Sequence, residues 1–600
     1  MAPKPPEEAT PRALSPALME ALARFHRAGG GADGLPFKGR LEHLVRDLPP
    51  AESDALMMLM KESRGAWAML LEGAGGRALF IGDGFSGTPV ALGTLGFDVT
   101  IAGTELEGLR FALDRAEALA PGTSRAAVLG ADAALPFQDG SFDLVVLEGG
   151  LPSPRTGWGF GVEELQRVCR GELVVTADNR LGYKRSTGRR GSFRRHPGHL
   201  LREIVAPSGG ERALPGTRAA VRGDWSQADA YALYPHAREF SHVVALDRPR
   251  PRLTIGPRER KNRIKLVGKA LGLFPWLTPS FAVHARRGPG GPNRVQRLLQ
   301  RVAAACDEPC PEADMLIATR SNDALIHTAI PGRRDALGRW TVHVALQPAK
   351  RRMVEVHHDW LTRVRRDHPG IPVPEPLFHG VVEGAEVAVE RRVDGLNGTD
   401  VTGQPALTRR MFADASRQLV DLLEPAATTL DGPLFDRLLQ PRFDLVGELI
   451  ASPGTRGRVR EMVERAREGL VGRSLRLGVY HADLRAKHLQ VDRDGAIVGY
   501  LDWGASEERF LPLVDLLHLV IHQRKQETGG SFGAAWRSVL EPSRRRPWEQ
   551  RAFIDYLDQA GLDHALLPLL LDLYPVLVAG MAELNWDYSR PDWVRRQFEL

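Results

Sequence analysis

Cysteine is scarce in this sequence: Cys169, Cys306 and Cys310 are the only three in 600 residues. That number excludes a disulfide framework, and the Cys306/Cys310 pair lacks the further Cys or His that a structural zinc site needs. Uninterrupted apolar runs of membrane-spanning length are also missing. The longest stretch, Leu566 to Leu584, is broken by Asp572 and Pro575 and reads as a buried helix. Net charge is small, because 80 Lys and Arg face 74 Asp and Glu and leave +6; no whole-molecule field of one sign is available to steer a ligand. No internal repeat is visible, which excludes a solenoid or propeller. The opening residues, MAPKPPEEATPRAL, hold no apolar core of signal-peptide length, and their acids speak against a transit peptide. A reducing cytoplasm is the expected compartment.

What is present is an ordinary globular composition, 43% apolar and 26% charged, enough to bury real cores. The length exceeds what one core supports, so two domains are expected. Basic charge is concentrated locally although the sequence pI is about 9.3. Lys184 to Arg195 holds six Lys/Arg and no acid, and Arg250 to Lys265 holds seven with only Glu259 against them. Such runs are solvated loops, or they attract phosphates, acidic sugars or nucleic acid. Pro and charge dominate residues 1–15, which are expected to be disordered, and a helical lead-in follows. From Arg77 short apolar runs alternate with helical stretches: ALFIG, FDVTIAG, AAVLGA, FDLVVLEG and ELVVTAD. Runs buried on both faces are what a parallel sheet requires. RRGPGGPN, from Arg286, is the clearest linker. The expected division is 1–54 tail and lead-in, 55–287 first domain, 288–309 linker and helix, and 310–600 second domain.

In the first domain, ALFIGDGFSGTPVALGTLGFDVT sets Gly82, Gly84 and Gly87 on a strand-to-helix turn, where glycine lets backbone approach a ligand and helix amides face it. Taken alone, this turn suits a dinucleotide-binding dehydrogenase as well, with Glu105 as the ribose acid. GADAALPFQDGSFDLVVLEG, continued by ADNRLGYK, FSHVVAL and LTPSFAVHARR, resembles the class I S-adenosylmethionine-dependent methyltransferases over about residues 55–287. The resemblance implies a doubly wound α/β domain with a mostly parallel sheet, Asp132 near an adenine ring, Asp143 as a structural acid, and S-adenosylmethionine as cofactor. The sequence departs from the family pattern at Phe80, where an acid is usual, at Ser86 for the third glycine, and at Gly103 for the ribose acid. Glu105 is the nearest substitute. Weak or absent cofactor binding is the corresponding expectation, and the basic run after Lys184 points to an anionic acceptor.

In the second domain, VYHADLRAKHLQVDRDGAIVGYLDWGASEERFLPLVDLLHL resembles the aminoglycoside phosphotransferase and choline kinase group, with the pattern H-G-D-x-x-x-x-N, a strand, a turn and I-D-W. The resemblance covers about residues 310–600 and implies an α+β protein-kinase-like fold, a small sheet-rich lobe followed by a helical lobe. Phosphoryl transfer needs a carboxylate at the incoming hydroxyl and oxygen ligands for the metal on the nucleotide. By the resemblance Asp483 is the catalytic base, His481 buttresses its loop, Asp502 binds the metal and Asp515 is structural. Glu355 is the helix acid that orients a phosphate-binding lysine, and Glu390 lies in the segment joining the lobes. Two positions depart: His343 stands where the lysine is expected, and His488 replaces the asparagine ligand. Imidazole suits Mn²⁺ better than Mg²⁺. The expected function is a bifunctional transferase using ATP with Mg²⁺ or Mn²⁺ and S-adenosylmethionine on a small molecule or glycan. The competing reading is a scaffold or regulator with degenerate nucleotide sites, and nucleic-acid modification, motivated only by the basic runs, comes third.

Overall fold

Runs of apolar, β-branched and aromatic residues form the central strands. The computed structural model describes residues 14–28, 37–122, 124–130, 134–152, 158–182, 212–223, 225–235, 237, 240–247, 270–318, 323–330, 333–449 and 453–586. Asp132, both basic runs, and most of the expected disordered tail lie outside the described residues. The chain divides into two compact units, residues 1–351 with 380–387, and residues 352–379 with 388–600.

The first unit contains β1 (Gly76–Ile81), β2 (Phe97–Gly103), β3 (Ser124–Val128), β4 (Phe142–Glu148), β5 (Cys169–Asp178), β6 (Gln227–Tyr234), β7 (His242–Ala245), β8 (Ser280–Arg286), β9 (Glu312–Ala318), β10 (Asp323–Ile330) and β11 (Arg333–Ala345). They lie in the order β3-β2-β1-β4-β5-β8-β6-β7-β9-β10-β11. β1 pairs in parallel with β2 and β4, β2 with β3, and β4 with β5. The order reverses direction between β1 and β4, which makes the carboxyl ends of these two strands the switch point where open α/β sheets hold ligands. Ala78, Leu79, Phe80 and Ile81 of β1 are all buried, as a strand covered on both faces must be.

Beyond β5 the expected parallel character ends. The pairs β5–β8, β8–β6, β6–β7, β7–β9, β9–β10 and β10–β11 are antiparallel. The connections β9–β10 and β10–β11 are too short for the crossover that a parallel pair requires, so those strands fold as hairpins. The Gly/Pro stretch before Asn293 is followed at once by a helix that packs on the same unit. Asn293 caps the helix Arg294–Cys306 through a reciprocal bond with Gln296. Arg294 is fully buried, with its guanidinium on Leu95 O (2.9 Å) and Gly73 O (2.8 Å) and over the Phe97 ring.

The second unit is mainly helical. Its core includes Leu516, Leu517, Leu519, Val520 and Ile521 from the helix Val514–Thr528 and Leu570, Leu571 and Tyr574 from the helix Leu566–Trp586. The latter is the buried helix expected from the longest apolar stretch. Among the described residues no helix is long and apolar enough to cross a membrane. Two small antiparallel pairs matter most. Strand Gly478–Tyr480 pairs with Glu507–Phe510, and Leu489–Val491 pairs with Ile497–Tyr500. They bring residues 481–488 and 501–506 side by side.

Candidate active site

The loop after Tyr480 begins with His481, which is fully buried. Its Nε2 meets Leu501 O at 2.9 Å and its ring packs 4.8 Å from that of Trp503. Burial pushes its pKa down to about 4, so the ring is neutral and donates to the carbonyl. This histidine ties one loop to the other; it is a positioning residue. Asp515 fixes the same loop from below, accepting from His481 N (2.8 Å) and Ala482 N (3.1 Å). Its structural role was expected. Burial pushes its carboxyl up to about 7 against those two amide bonds. Ala482 stands at φ +69° and Asp502 at φ +66°, a left-handed conformation that costs a non-glycine residue about 1–2 kcal/mol. The family pattern has glycine where Ala482 stands.

Asp483 emerges from this scaffold with its side chain 16% exposed. Its Oδ2 is ion-paired with Arg485 and its Oδ1 lies 3.5 Å from His518 Nε2. Burial would raise the carboxyl, but Arg485 and His518 outweigh it and hold the pKa well below the usual range. Behind His518, its Nδ1 meets the buried Tyr574 hydroxyl at 2.6 Å. Arg485 and His518 were not singled out in the sequence. Both signals were present: Arg485 is two residues beyond the expected base, and His518 and His522 are spaced i, i+4 on one helix.

His488 closes the loop. Its Nδ1 lies 2.6 Å from Asp483 O; a carbonyl only accepts, so Nδ1 carries a proton. Nε2 then points to Asp502, 3.1 Å from Oδ2, without an aligned hydrogen bond. Asp502 is half-exposed; partial loss of water would raise its pKa, but His488 and then Lys487 hold it well below the usual range. Ligand atoms of Asp483, His488 and Asp502 all lie within 4.8 Å of one another. Two carboxylates and one imidazole at that separation fit a divalent cation.

Glu390 and Glu355, expected near the nucleotide, supply none of these ligand atoms. Glu390 is buried and meets His357 Nε2 at 2.8 Å, while Trp503 N donates to His357 Nδ1 at 3.0 Å. Glu390 therefore braces the backbone next to Asp502. Glu355 lies on the outer face of its helix, 42% exposed and paired with Arg352 at 2.6 Å; His357, two residues on, takes the inward position. His343 sits on β11 opposite Leu325.

The glycine turn of the first unit has a different character. Gly82, Gly84 and Gly87 do link β1 to the helix Thr88–Thr94. However, a Cβ on Gly84 would stand 2.4 Å from Gly108 O, and one on Gly87 2.1 Å from Lys61 O. Glycine is needed here because protein backbone comes close. The amides expected to face a ligand are taken: Phe85 N by Asp83 Oδ1 (3.0 Å), Ser86 N by Asp83 O (2.9 Å), Gly87 N by Leu59 O (2.9 Å) and Thr88 N by Ser86 Oγ (3.2 Å). At the switch point Glu148 accepts from Thr88 Oγ1 (2.5 Å) and Arg64 (3.2 Å). Glu62 is buried against Arg115 at 2.5 Å. Glu105 is exposed at the start of the helix Leu106–Leu119. Asp143, at the far end of β4, pairs with Arg170 (2.7 Å) and Arg77 N (3.0 Å), a structural role as expected.

Residues 333–548 match the family model described as phosphotransferase enzyme family. No curated protein matches the chain. Among solved structures, an aminoglycoside phosphotransferase from Streptomyces rimosus is 18% identical, covering 46% of this chain and 96% of that one, with a TM-score of 0.29. A choline/ethanolamine kinase family protein from Mesorhizobium loti is 15% identical over 43% of this chain and 76% of that one, TM-score 0.28. A SAM dependent methyltransferase from Aquifex aeolicus is 14% identical over 24% of this chain and 73% of that one, TM-score 0.18. With all three scores below 0.5, the fold rests on the strand order and pairing described above. The match over residues 333–548, about a third of the chain, supports a transferase.

Proposed function

We propose that this chain is a metal-dependent phosphotransferase of the cytoplasm that moves the γ-phosphoryl group of ATP to a hydroxyl of a small molecule or glycan. The observation that carries the reading is the convergence of Asp483, His488 and Asp502 on one small volume, at the end of a loop fixed by His481 and Asp515. In the reaction the acceptor oxygen forms a bond to phosphorus, the bond from phosphorus to the β–γ bridging oxygen breaks, and ADP leaves. Asp483 accepts the hydroxyl proton. A divalent cation held by Asp502 and His488 would neutralise charge on the nucleotide phosphates. Arg485 and His518 hold the two oxygens of Asp483 and keep the carboxylate ionised. We take the phosphotransferase domain to begin near residue 310, so that β9 to β11 belong to it.

Methyl transfer is the weaker half of the expected function. Four amides at Phe85 to Thr88 already have protein acceptors, and Arg64 with Glu148 fills the switch point, so the residues present do not fit S-adenosylmethionine in its expected place. For the first unit this favours the scaffold reading. ATP turnover by the full chain with Mn²⁺ and with Mg²⁺, across a panel of hydroxylated acceptors, tests the phosphotransferase. Turnover that disappears in Asp483→Asn supports it; no turnover with either ion removes it.

A further inference from the structure

Arg485 is the guanidinium beside the proposed base, and much of its hydrogen-bonding capacity is unused. It follows Asp483 by two residues and pairs its Nη2 with Asp483 Oδ2. The side chain is only 17% exposed. Its Nε is buried without an acceptor, and Nη1 makes no hydrogen bond among the described residues. A guanidinium is a planar fork suited to two oxygens of one anion, but Asp483 offers it one; the other, Oδ1, lies 3.5 Å from His518 Nε2. His522 lies one turn beyond His518 on the helix Val514–Thr528, with the two ring centroids 5.4 Å apart. Its ring is partly exposed and has no hydrogen-bond partner among the described residues. Burial first, and then His518, Arg485 and Lys525, push the His522 pKa down to about 2, so the ring is neutral; Asp483 is the acid that opposes them.

Phosphoryl transfer upsets this pairing. Once Asp483 has taken the hydroxyl proton it is neutral, and Arg485, mostly buried, loses the carboxylate that balances its charge. A cation left unpaired away from water is costly. A second anion at the guanidinium removes that cost, and the acceptor is the molecule placed to bring it, because its reacting hydroxyl must lie against Asp483. Building on the phosphotransferase reading of this site, we propose that Arg485 selects an acceptor that carries an anionic group, a phosphate or a carboxylate, close to the hydroxyl that is phosphorylated. The oxygens of that group take the guanidinium donors that Asp483 leaves unused, and the neutral His522 ring offers a further donor from the adjoining helix. A neutral polyol would leave Arg485 unpaired when the proton moves. A cationic acceptor would meet it with like charge.

The test is ADP release by the full chain, with ATP and saturating Mn²⁺, on acceptors that share one frame and differ in charge: glucose, glucosamine, glucuronate and glucose 6-phosphate. For the anionic pair kcat/KM is expected to exceed that for glucose by about ten- to a hundredfold, the worth of a hydrogen bond to a charged group, with glucosamine lowest. Whichever anionic member leads assigns the group as carboxylate or phosphate. Arg485→Gln should bring the anionic and neutral values together, while Arg485→Lys, which keeps the charge, should preserve part of the preference; unfolding midpoints show that both variants are folded. If Arg485 only holds Asp483, both variants lower every acceptor by one factor and the preference persists, which overturns the proposal. So does turnover confined to glucose or glucosamine, or Asp483-dependent hydrolysis of ATP that the anionic pair neither speeds nor inhibits. Those outcomes leave the phosphotransferase standing, whereas absence of any ATP turnover removes both readings.

Discussion

The turn after β1 and the loop after Tyr480 are both strand-end loops whose sequences resemble nucleotide-handling motifs, yet their polar groups are used in opposite ways. In the first, amides and acids are satisfied within the chain: Gly87 N on Leu59 O, Glu148 on Thr88 and Arg64, Glu62 on Arg115. In the second, the satisfied groups lie behind the loop at His481, Ala482 and Asp515, while Asp483, His488 Nε2 and Asp502 converge in front of it. The second loop gathers ligand atoms of three side chains within 4.8 Å of one another, even though Arg485 and His518 flank Asp483, and the described residues of the first turn gather no such group.

The largest effect expected from breaking this contrast is on the second loop. Asp483→Asn and Asp502→Asn should each lower ATP turnover by about 10²–10⁴-fold, measured as steady-state ADP release, with the unfolding midpoint little changed. On the closed side, Glu62→Ala should instead cost stability, about 3–5 kcal/mol, because Arg115 is left buried without its carboxylate; denaturant unfolding of the full chain reads this directly. If Glu62→Ala spares stability and creates S-adenosylmethionine binding, the turn is a gated site and the contrast is wrong.

Smaller effects sharpen the comparison within the second loop. His518→Leu should lower kcat about tenfold, whereas His518→Gln, which still offers a donor to Asp483, should recover much of the loss; equal losses would reduce His518 to packing. His488→Asn should narrow a preference for Mn²⁺ over Mg²⁺ by about tenfold, since an amide oxygen replaces nitrogen beside Asp502. The smallest change is Ala482→Gly, which removes the left-handed strain at φ +69° and should raise stability by about 1 kcal/mol.

Much of this was readable in the sequence because it depends on local pattern. FDVTIAG and FDLVVLEG became the mostly buried strands β2 and β4, and the HAD and LDW strings lie at the strand ends where two acids meet. β6 was not foreseen, since QADAYALY mixes Gln, Asp and Tyr into an alternating strand with a buried face. What escaped is tertiary. Nothing in GDGFSGT says that Leu59 and Arg64 occupy its amides and its crevice, and nothing in RRGPGGPN says that Arg294 is buried against Phe97. Glu355 and His357 are both polar positions on one helix, two residues apart, and only packing decides which of them faces inward.

Thermal or denaturant unfolding of the full chain, with ATP plus Mn²⁺ and separately with S-adenosylmethionine, measures this contrast most directly. At about 100 times its Kd, a ligand that binds only the native state adds roughly 2.7 kcal/mol. The account predicts that increment with ATP and Mn²⁺, its loss in Asp502→Asn, and no change with S-adenosylmethionine. Stabilisation by S-adenosylmethionine, with none from ATP and either cation, would contradict it.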